Sequence, residues 1–312
     1  MHEGRRLLLK CLAVFLAGSG PGSMIPAAAQ AQQPLISRAI PRRDGAATEL
    51  LPVIGVGTWQ TFDVGADAAA RAALREVLKV FVNAGGTVID SSPMYGTSES
   101  VTGDLAAETG LAAKLFFATK VWTSGRDEGI RQMELSFKRL RVSRLDLMQV
   151  HNLVDVAVHT KTLEDWKAKN RVRYIGITHY ASSAYDEVER WLKTGKYDFL
   201  QINYSLAERE SGLRLLPLAK DRNVAVIVNR PFADGAMFRR VRGKPLPDWA
   251  VEIGATSWAQ FFLKWIVSHP AVTCAIPGTG KPEHMKDNLA AGIGVLPDEP
   301  MRKRMLQHFD SF

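Results

Sequence analysis

Cysteine is nearly absent: 312 residues hold two, Cys11 and Cys274. That excludes a disulfide framework and a zinc cluster built on thiolates, so no metal site is expected. Long apolar runs are missing too. The stretch at residues 11–17 falls far short of the roughly 20 residues that cross a bilayer, and no later segment comes close. Charge of one sign is not gathered anywhere either. Forty Lys and Arg against thirty-two Asp and Glu leave +8, but the cations are scattered among acids, with no basic tail or basic-aromatic stripe for a nucleic acid. What remains is a chain that is 46% apolar and 23% charged, enough for one large core or two small ones.

The N-terminus reads differently from the rest. Arg5-Arg6-Leu7-Leu8-Leu9-Lys10 precedes the short apolar stretch, and a small-residue region ends in Ala27-Ala28-Ala29-Gln30-Ala31. This is the layout of a secretory signal peptide, and the paired arginines resemble a twin-arginine export signal, with Ala29 or Ala31 suiting a cleavage that needs small side chains. The expected organisation is a signal at 1–31, an extension at 32–49 and a single domain at 50–312. A plain basic N-terminal tail is the alternative. Export implies the periplasm; without it the protein stays cytoplasmic. Removing 1–31 takes away three cations and one acid, lowering the charge from +8 to +6, and leaves Cys274 without a partner. The mature chain is expected to be soluble and not inserted in a membrane, and nothing in it demands more than a monomer.

From residue 50 one pattern recurs: a short apolar run, a polar turn, then a longer segment with helical spacing. Strands are predicted at 53–57, 87–91, 116–120, 145–150, 172–177, 199–203, 224–229 and 272–276. They are continuous rather than alternating, as parallel strands covered on both faces should be. Helices are predicted at 68–83, 98–108, 127–140, 163–169, 183–193, 212–221, 257–268 and 282–291. Eight such units in about 260 residues suit a closed α/β barrel of the (β/α)8 TIM type. A doubly wound open sheet is the alternative, but Gly55-Val56-Gly57-Thr58 lacks the third glycine of its phosphate turn. The longest loop, 231–254, follows the seventh strand, where barrels often bind phosphate. Lys138, Arg139, Arg141 and Arg144 read as the solvated end of a helix.

Polar residues at the strand ends point to chemistry. Asp90 closes the second strand, Lys120 the third and His151 the fourth, at intervals of 30 and 31 residues. One strand-helix unit separates each pair, so all three stand on the C-terminal rim, where barrel enzymes keep their active sites. Tyr95 lies five residues past Asp90 in Ser91-Ser92-Pro93-Met94-Tyr95-Gly96, a turn able to fold back over the mouth.

These residues and their flanks resemble the aldo-keto reductase superfamily over nearly all of residues 50–295. The matching stretches run from Gly86-Thr87-Val88-Ile89-Asp90 through Tyr95-Gly96-Thr97-Ser98-Glu99, and from Ser136-Phe137-Lys138-Arg139-Leu140 through Leu145-Asp146-Leu147 to His151. The resemblance implies reversible hydride transfer that reduces an aldehyde or ketone to an alcohol, with Asp90, Tyr95, Lys120 and His151 as its tetrad. A carbonyl taking up hydride needs a proton on its oxygen, and a tyrosine with a pKa of about 10 holds its proton too firmly for best effect. An ammonium about 4 Å away stabilises the phenolate by roughly 4 kcal/mol at an effective dielectric near 20, before desolvation offsets part of it. Lys120 fits that role, Asp90 keeps it charged, and a neutral His151 would orient the carbonyl.

The same resemblance places the cofactor, expected to be NADP with NAD as the alternative. Gly57, Thr58 and Asp90 match contacts near the nicotinamide ribose, and Gln201 matches the residue bonding the carboxamide. The family's Ser-Asn pair is Thr178-His179 here, and Asn229 stands where many members stack a tyrosine on the nicotinamide. The ribbon with Asn229, Arg230 and Pro231 is similar to a bacterial variant of that segment. At the adenine end, Gly278, Thr279, Lys281, His284 and Asn288 match the 2′-phosphate and adenine segment, with Gly278 and His284 replacing two cations. Arg239, Arg240, Arg242 and Lys244 suit either a pyrophosphate clamp or an exposed basic loop.

Trp59 and Trp122 match apolar pocket positions of the family and equally suit core packing. The expected partner is a small carbonyl substrate, hydrophobic or aromatic if the tryptophans line the pocket. Two other functions use the same features: a nicotinamide-binding sensor or partner module with little turnover, and a barrel isomerase or aldolase forming an imine on Lys120. Export adds a constraint, since no dinucleotide supply is expected outside the cytoplasm. The cofactor would then stay bound and be recycled by two external substrates.

Overall fold

The computed structural model describes residues 33–42 and 49–312. The predicted export signal at 1–31 lies outside the described residues, as do residues 43–48 of the extension. The described chain opens with an antiparallel hairpin, β1 (Ser37–Ala39) and β2 (Leu50–Pro52), which runs across the boundary expected at residue 50. Then come β3 (Val56–Gly57), α1 (Ala68–Asn83), β4 (Val88–Asp90), α2 (Ser98–Glu108), β5 (Phe116–Val121), α3 (Arg126–Leu140) and β6 (Leu145–His151). The second half adds α4 (Val156–Ala168), β7 (Val172–Thr178), α5 (Tyr185–Lys193), β8 (Phe199–Asn203), α6 (Ser211–Asp221), β9 (Ala225–Asn229), α7 (Ala236–Arg240) and α8 (Trp258–Val267). β10 (Cys274–Ala275), α9 (Pro282–Ala290) and α10 (Glu299–Asp310) complete it.

Strands β3 to β10 form one parallel sheet in chain order, and bridges from Ile54 to Ala275 and from Gly57 to Gly278 join its two edges. This is the (β/α)8 barrel. Two cores follow from the period of two along each strand. Val88, Phe116, Ala118, Leu147, Tyr174, Phe199, Ala225, Ile227, Cys274 and Ile276 fill the interior, with Ile40 and Leu51 from the hairpin beneath them. Their alternate neighbours, such as Ile89, Phe117, Met148, Ile175, Leu200 and Val226, pack outward against the helices. Parity then carries the interior row upward: Asp90 lies two residues past Val88, Lys120 two past Ala118, and Gln149 and His151 follow Leu147 on the same face.

Several boundaries differ from expectation for physical reasons. α4 begins seven residues before the predicted 163, because Val156-Ala157-Val158 has the β-branched composition of a strand yet Val156, His159 and Thr160 are buried as a helix. α10 was not predicted. Only Arg302, Met305 and Phe309 of its twelve residues are buried, too few to show a period among its charges. Arg139 and Arg141 are not simply a solvated helix end: Arg139 lies 3.4 Å from the buried Glu99, and Arg141 pairs with Asp104 at 2.6 Å. No helix of the described residues is long and apolar enough to cross a membrane.

α2 follows Tyr95 directly and its packing on α3 sets where that turn can sit. Gly103 makes the close approach possible, since a Cβ there would lie 2.2 Å from the Arg139 carbonyl oxygen. Gly103→Ala is therefore expected to destabilise the fold by about 1–3 kcal/mol through overpacking, read as a lower urea midpoint with an unchanged slope.

Candidate active site

A cavity of about 580 Å³ opens at the C-terminal end of the barrel. Beneath it, Lys120 is wholly buried, and its Nζ donates to Asp90 Oδ2 at 2.6 Å and to the Ser91 carbonyl at 2.7 Å. The other Asp90 oxygen accepts from Gln201 Nε2 at 2.8 Å and Gln149 Nε2 at 3.2 Å. Asp90 thus ties four strands, β4, β5, β6 and β8, to one carboxylate. Burial pushes the Lys120 ammonium down, but the Asp90 charge and its hydrogen bonds outweigh that, and its pKa ends above the usual lysine value. It is charged at neutral pH.

Tyr95 reaches the same point from the β4–α2 turn. The Lys120 Nζ lies 5.0 Å from its ring centroid, close enough for the ammonium charge to act on the hydroxyl. Burial has the larger influence on the phenol and raises its pKa; Lys120 lowers it, Asp90 raises it, and the net lies above 10. The expectation of a phenol brought down by the lysine is corrected here: the dry site more than cancels the ammonium, and Tyr95 keeps its proton. The turn is pinned by Asp63, whose Oδ1 accepts from Thr97 N at 2.8 Å and Thr97 Oγ1 at 2.7 Å.

His151 meets Tyr95 edge to face with ring centroids 5.8 Å apart. Burial, with the Lys120 charge and His179 behind it, pushes the imidazole down to about 2. Its Nδ1 lies 3.0 Å from Ser92 Oγ, a contact that sequence reasoning missed because Ser92 sits on the motif without belonging to the tetrad.

The cavity walls take in most of the predicted cofactor and substrate positions. Gly57, Thr58, Thr178, Gln201 and Asn229 line it with hydroxyls, amides and bare backbone, and Arg230, Pro231 and Gly278 lie along the rim. Thr178 Oγ1 donates to Gln201 Oε1 at 3.3 Å, and Asn229 Nδ2 donates to the His179 carbonyl at 3.1 Å. The charge of Arg230 is taken up by Glu208 and Asp234, both at 2.9 Å. His179, Thr279, Lys281, His284 and Asn288 lie outside these walls. Lys281 is exposed at the start of α9 and forms no ion pair among the described residues, while Thr279 and Asn288 are buried. A neutral polar lining beside the acid and a free cation with unbonded first-turn N–H groups at α9 suit a dinucleotide's carboxamide and phosphate ends. Arg240 does not point there, as its guanidinium sits 4.5 Å over the ring of Phe309 on α10.

Trp59 and Trp122 are 45% and 41% exposed and both line the cavity, which settles them as mouth residues rather than core. Met94 and Tyr180, exposed to similar extents, join them. An imine on Lys120 would have to break its bonds to Asp90 and Ser91, and the lysine is not part of the cavity wall.

The aldo/keto reductase family matches residues 53–304. The methylglyoxal reductase YeaE of Escherichia coli (strain K12) is 31% identical over 252 residues, covering 77% of this chain and 85% of that protein. An aldo/keto reductase of Klebsiella pneumoniae, solved in complex with NADP and acetate, superposes with a TM-score of 0.70 at 26% identity, over 83% of this chain and 92% of that one. The glycerol dehydrogenase AKR11B4 of Gluconobacter oxydans shares the fold at 20% identity, with a TM-score of 0.69 over 86% of this chain and 94% of its own.

An ordinary imidazole passes its midpoint near 6.5. The Cε1 proton resonance of His151 is expected not to titrate between pH 8 and pH 5. Unfolded imidazole takes up a proton below about 6.5 while the folded one stays neutral, so this group weakens the fold as pH falls from there towards 2.

Proposed function

The chain belongs to the aldo/keto reductase family and is an NAD(P)-dependent oxidoreductase acting on carbonyl groups; we propose that Tyr95 is the acid with which it reduces an aldehyde or ketone to an alcohol, NADPH being the reductant. The observation that carries this reading is that Tyr95 and His151 line the cavity side by side, ring centroids 5.8 Å apart, with the buried Lys120 ammonium directly beneath, 5.0 Å from the Tyr95 ring centroid.

Bound NADPH supplies a hydride to the carbonyl carbon. Thr178, Gln201 and Asn229 would hold its nicotinamide end, and Thr279 and Lys281 its phosphate end. The tetrad manages the oxygen. His151, neutral, donates a hydrogen bond that fixes the direction of the C=O. Tyr95 keeps its proton until negative charge develops on that oxygen and then passes it over. Lys120 favours the phenolate so formed, and Asp90 keeps the ammonium charged and aimed throughout. In the reverse direction the phenolate takes the proton of the alcohol. Trp59, Trp122 and Met94 at the mouth exclude water and favour a substrate with an apolar or aromatic body.

We also infer export directed by residues 1–31, supported by the paired Arg5 and Arg6 and by the small residues around Ala29 and Ala31. Cell fractionation with N-terminal sequencing should find a chain that starts after Ala29 or Ala31 in the periplasm, and the double substitution Arg5→Lys with Arg6→Lys should leave the full-length chain in the cytoplasm.

The reaction is tested by NADPH oxidation with aromatic, aliphatic and sugar aldehydes and with methylglyoxal, comparing the wild type with Tyr95→Phe. The variant is expected to lose at least about a hundredfold in rate with NADPH affinity unchanged. Equal rates would remove Tyr95 from the chemistry.

A further inference from the structure

We propose that Ser92 is a positioning residue that sets the tautomer and direction of His151: its hydroxyl donates to Nδ1 and so places the single imidazole proton on Nε2, on the side that opens to the cavity. Ser92 is wholly buried in the β4–α2 turn. Its Oγ has two hydrogen-bonding neighbours among the described residues, the Met94 N–H at 3.4 Å and His151 Nδ1 at 3.0 Å. An N–H can only donate, so Oγ accepts from Met94 and its own proton has one acceptor in reach, Nδ1. The opposite assignment, with Nδ1–H donating to Oγ, leaves a buried hydroxyl proton with no acceptor, which folded proteins avoid.

The Nε2 atom makes no hydrogen bond among the described residues, and His151 lines the cavity. It is therefore an unused donor facing the place where a carbonyl oxygen would sit. A neutral ring held this way can only donate from Nε2; it cannot take up the phenol proton through that atom. The two roles are thereby kept apart, with Tyr95 giving the proton and His151 holding the oxygen. The catalytic consequence rests on the reductase reading above, whereas the tautomer does not depend on it.

The test uses the full-length protein labelled with 15N. Two-bond correlation spectra should show His151 of the wild type protonated on Nε2 alone from pH 5 to pH 9. In Ser92→Ala the Nδ1 resonance should shift as its hydrogen bond is lost, and kcat for the carbonyl should fall about tenfold with NADPH affinity unchanged, as expected for a misdirected donor. Ser92→Thr, which keeps the hydroxyl, should restore kcat to within about threefold of the wild type. A wild-type imidazole protonated on Nδ1 overturns the proposal without any variant. So does a Ser92→Ala protein whose Nδ1 resonance and kcat are both unchanged. A wild type that shows the Nε2 tautomer but oxidises no NADPH with any carbonyl supports the role of Ser92 and overturns the reductase reading instead.

Discussion

The buried ion pair between Lys120 and Asp90 is the constraint on which the rest depends. At 2.6 Å, with Lys120 0% and Asp90 3% exposed at the side chain, neither partner can be lost without leaving an uncompensated charge in the barrel. The pair persists because further hydrogen bonds support both charges: the Ser91 carbonyl takes a second ammonium proton, and two amides, from Gln149 and Gln201, donate to the other carboxylate oxygen. A permanent positive charge is thereby fixed beneath the cavity floor. Its field acts on every group above it, easing ionisation of the Tyr95 phenol and opposing protonation of His151.

Strand geometry explains why so few residues suffice. Neighbouring parallel strands are in register such that Lys120 is opposite Gln149 and Gln201 is opposite Thr178. Inward parity then stacks apolar side chains in the lower layers and polar ones in the top layer. No special loop is needed to assemble Asp90, Lys120, Gln149, His151, Thr178 and Gln201. Tyr95 and Ser92 are the exceptions, delivered by a turn that Asp63 and the α2–α3 contact hold in place.

Much of this could be read from the residues because barrel strands are continuous apolar runs of fixed spacing, and an ionisable residue ending one of them stands out. Asp90, Lys120 and His151 were visible in that way. Ser92 was not: a serine in a turn is unremarked until its neighbour across 59 residues of sequence is known. Nor could composition reveal that burial outweighs Lys120 at the Tyr95 phenol, since the balance depends on how far the fold withdraws that hydroxyl from water. Trp59 and Trp122 gave no indication from their type whether they faced core or solvent. α10, amphipathic in so few positions, has its place set by contacts made elsewhere, such as Arg302 with Tyr204 at 2.8 Å.

The hairpin at the opposite end of the barrel has its own consequence. Ile40 and Leu51 seat against Phe116, Leu147 and Tyr174, and the Tyr174 hydroxyl donates to Glu49 at 2.7 Å, so the lower opening is stoppered by chain that precedes the first barrel strand. Among the described residues the barrel is therefore cup-shaped, with its cavity at the opposite, C-terminal end. Proteolytic trimming upstream of Ser37 would leave the stopper in place, whereas trimming past Ile40 would uncork the interior and let water reach the underside of the charged pair.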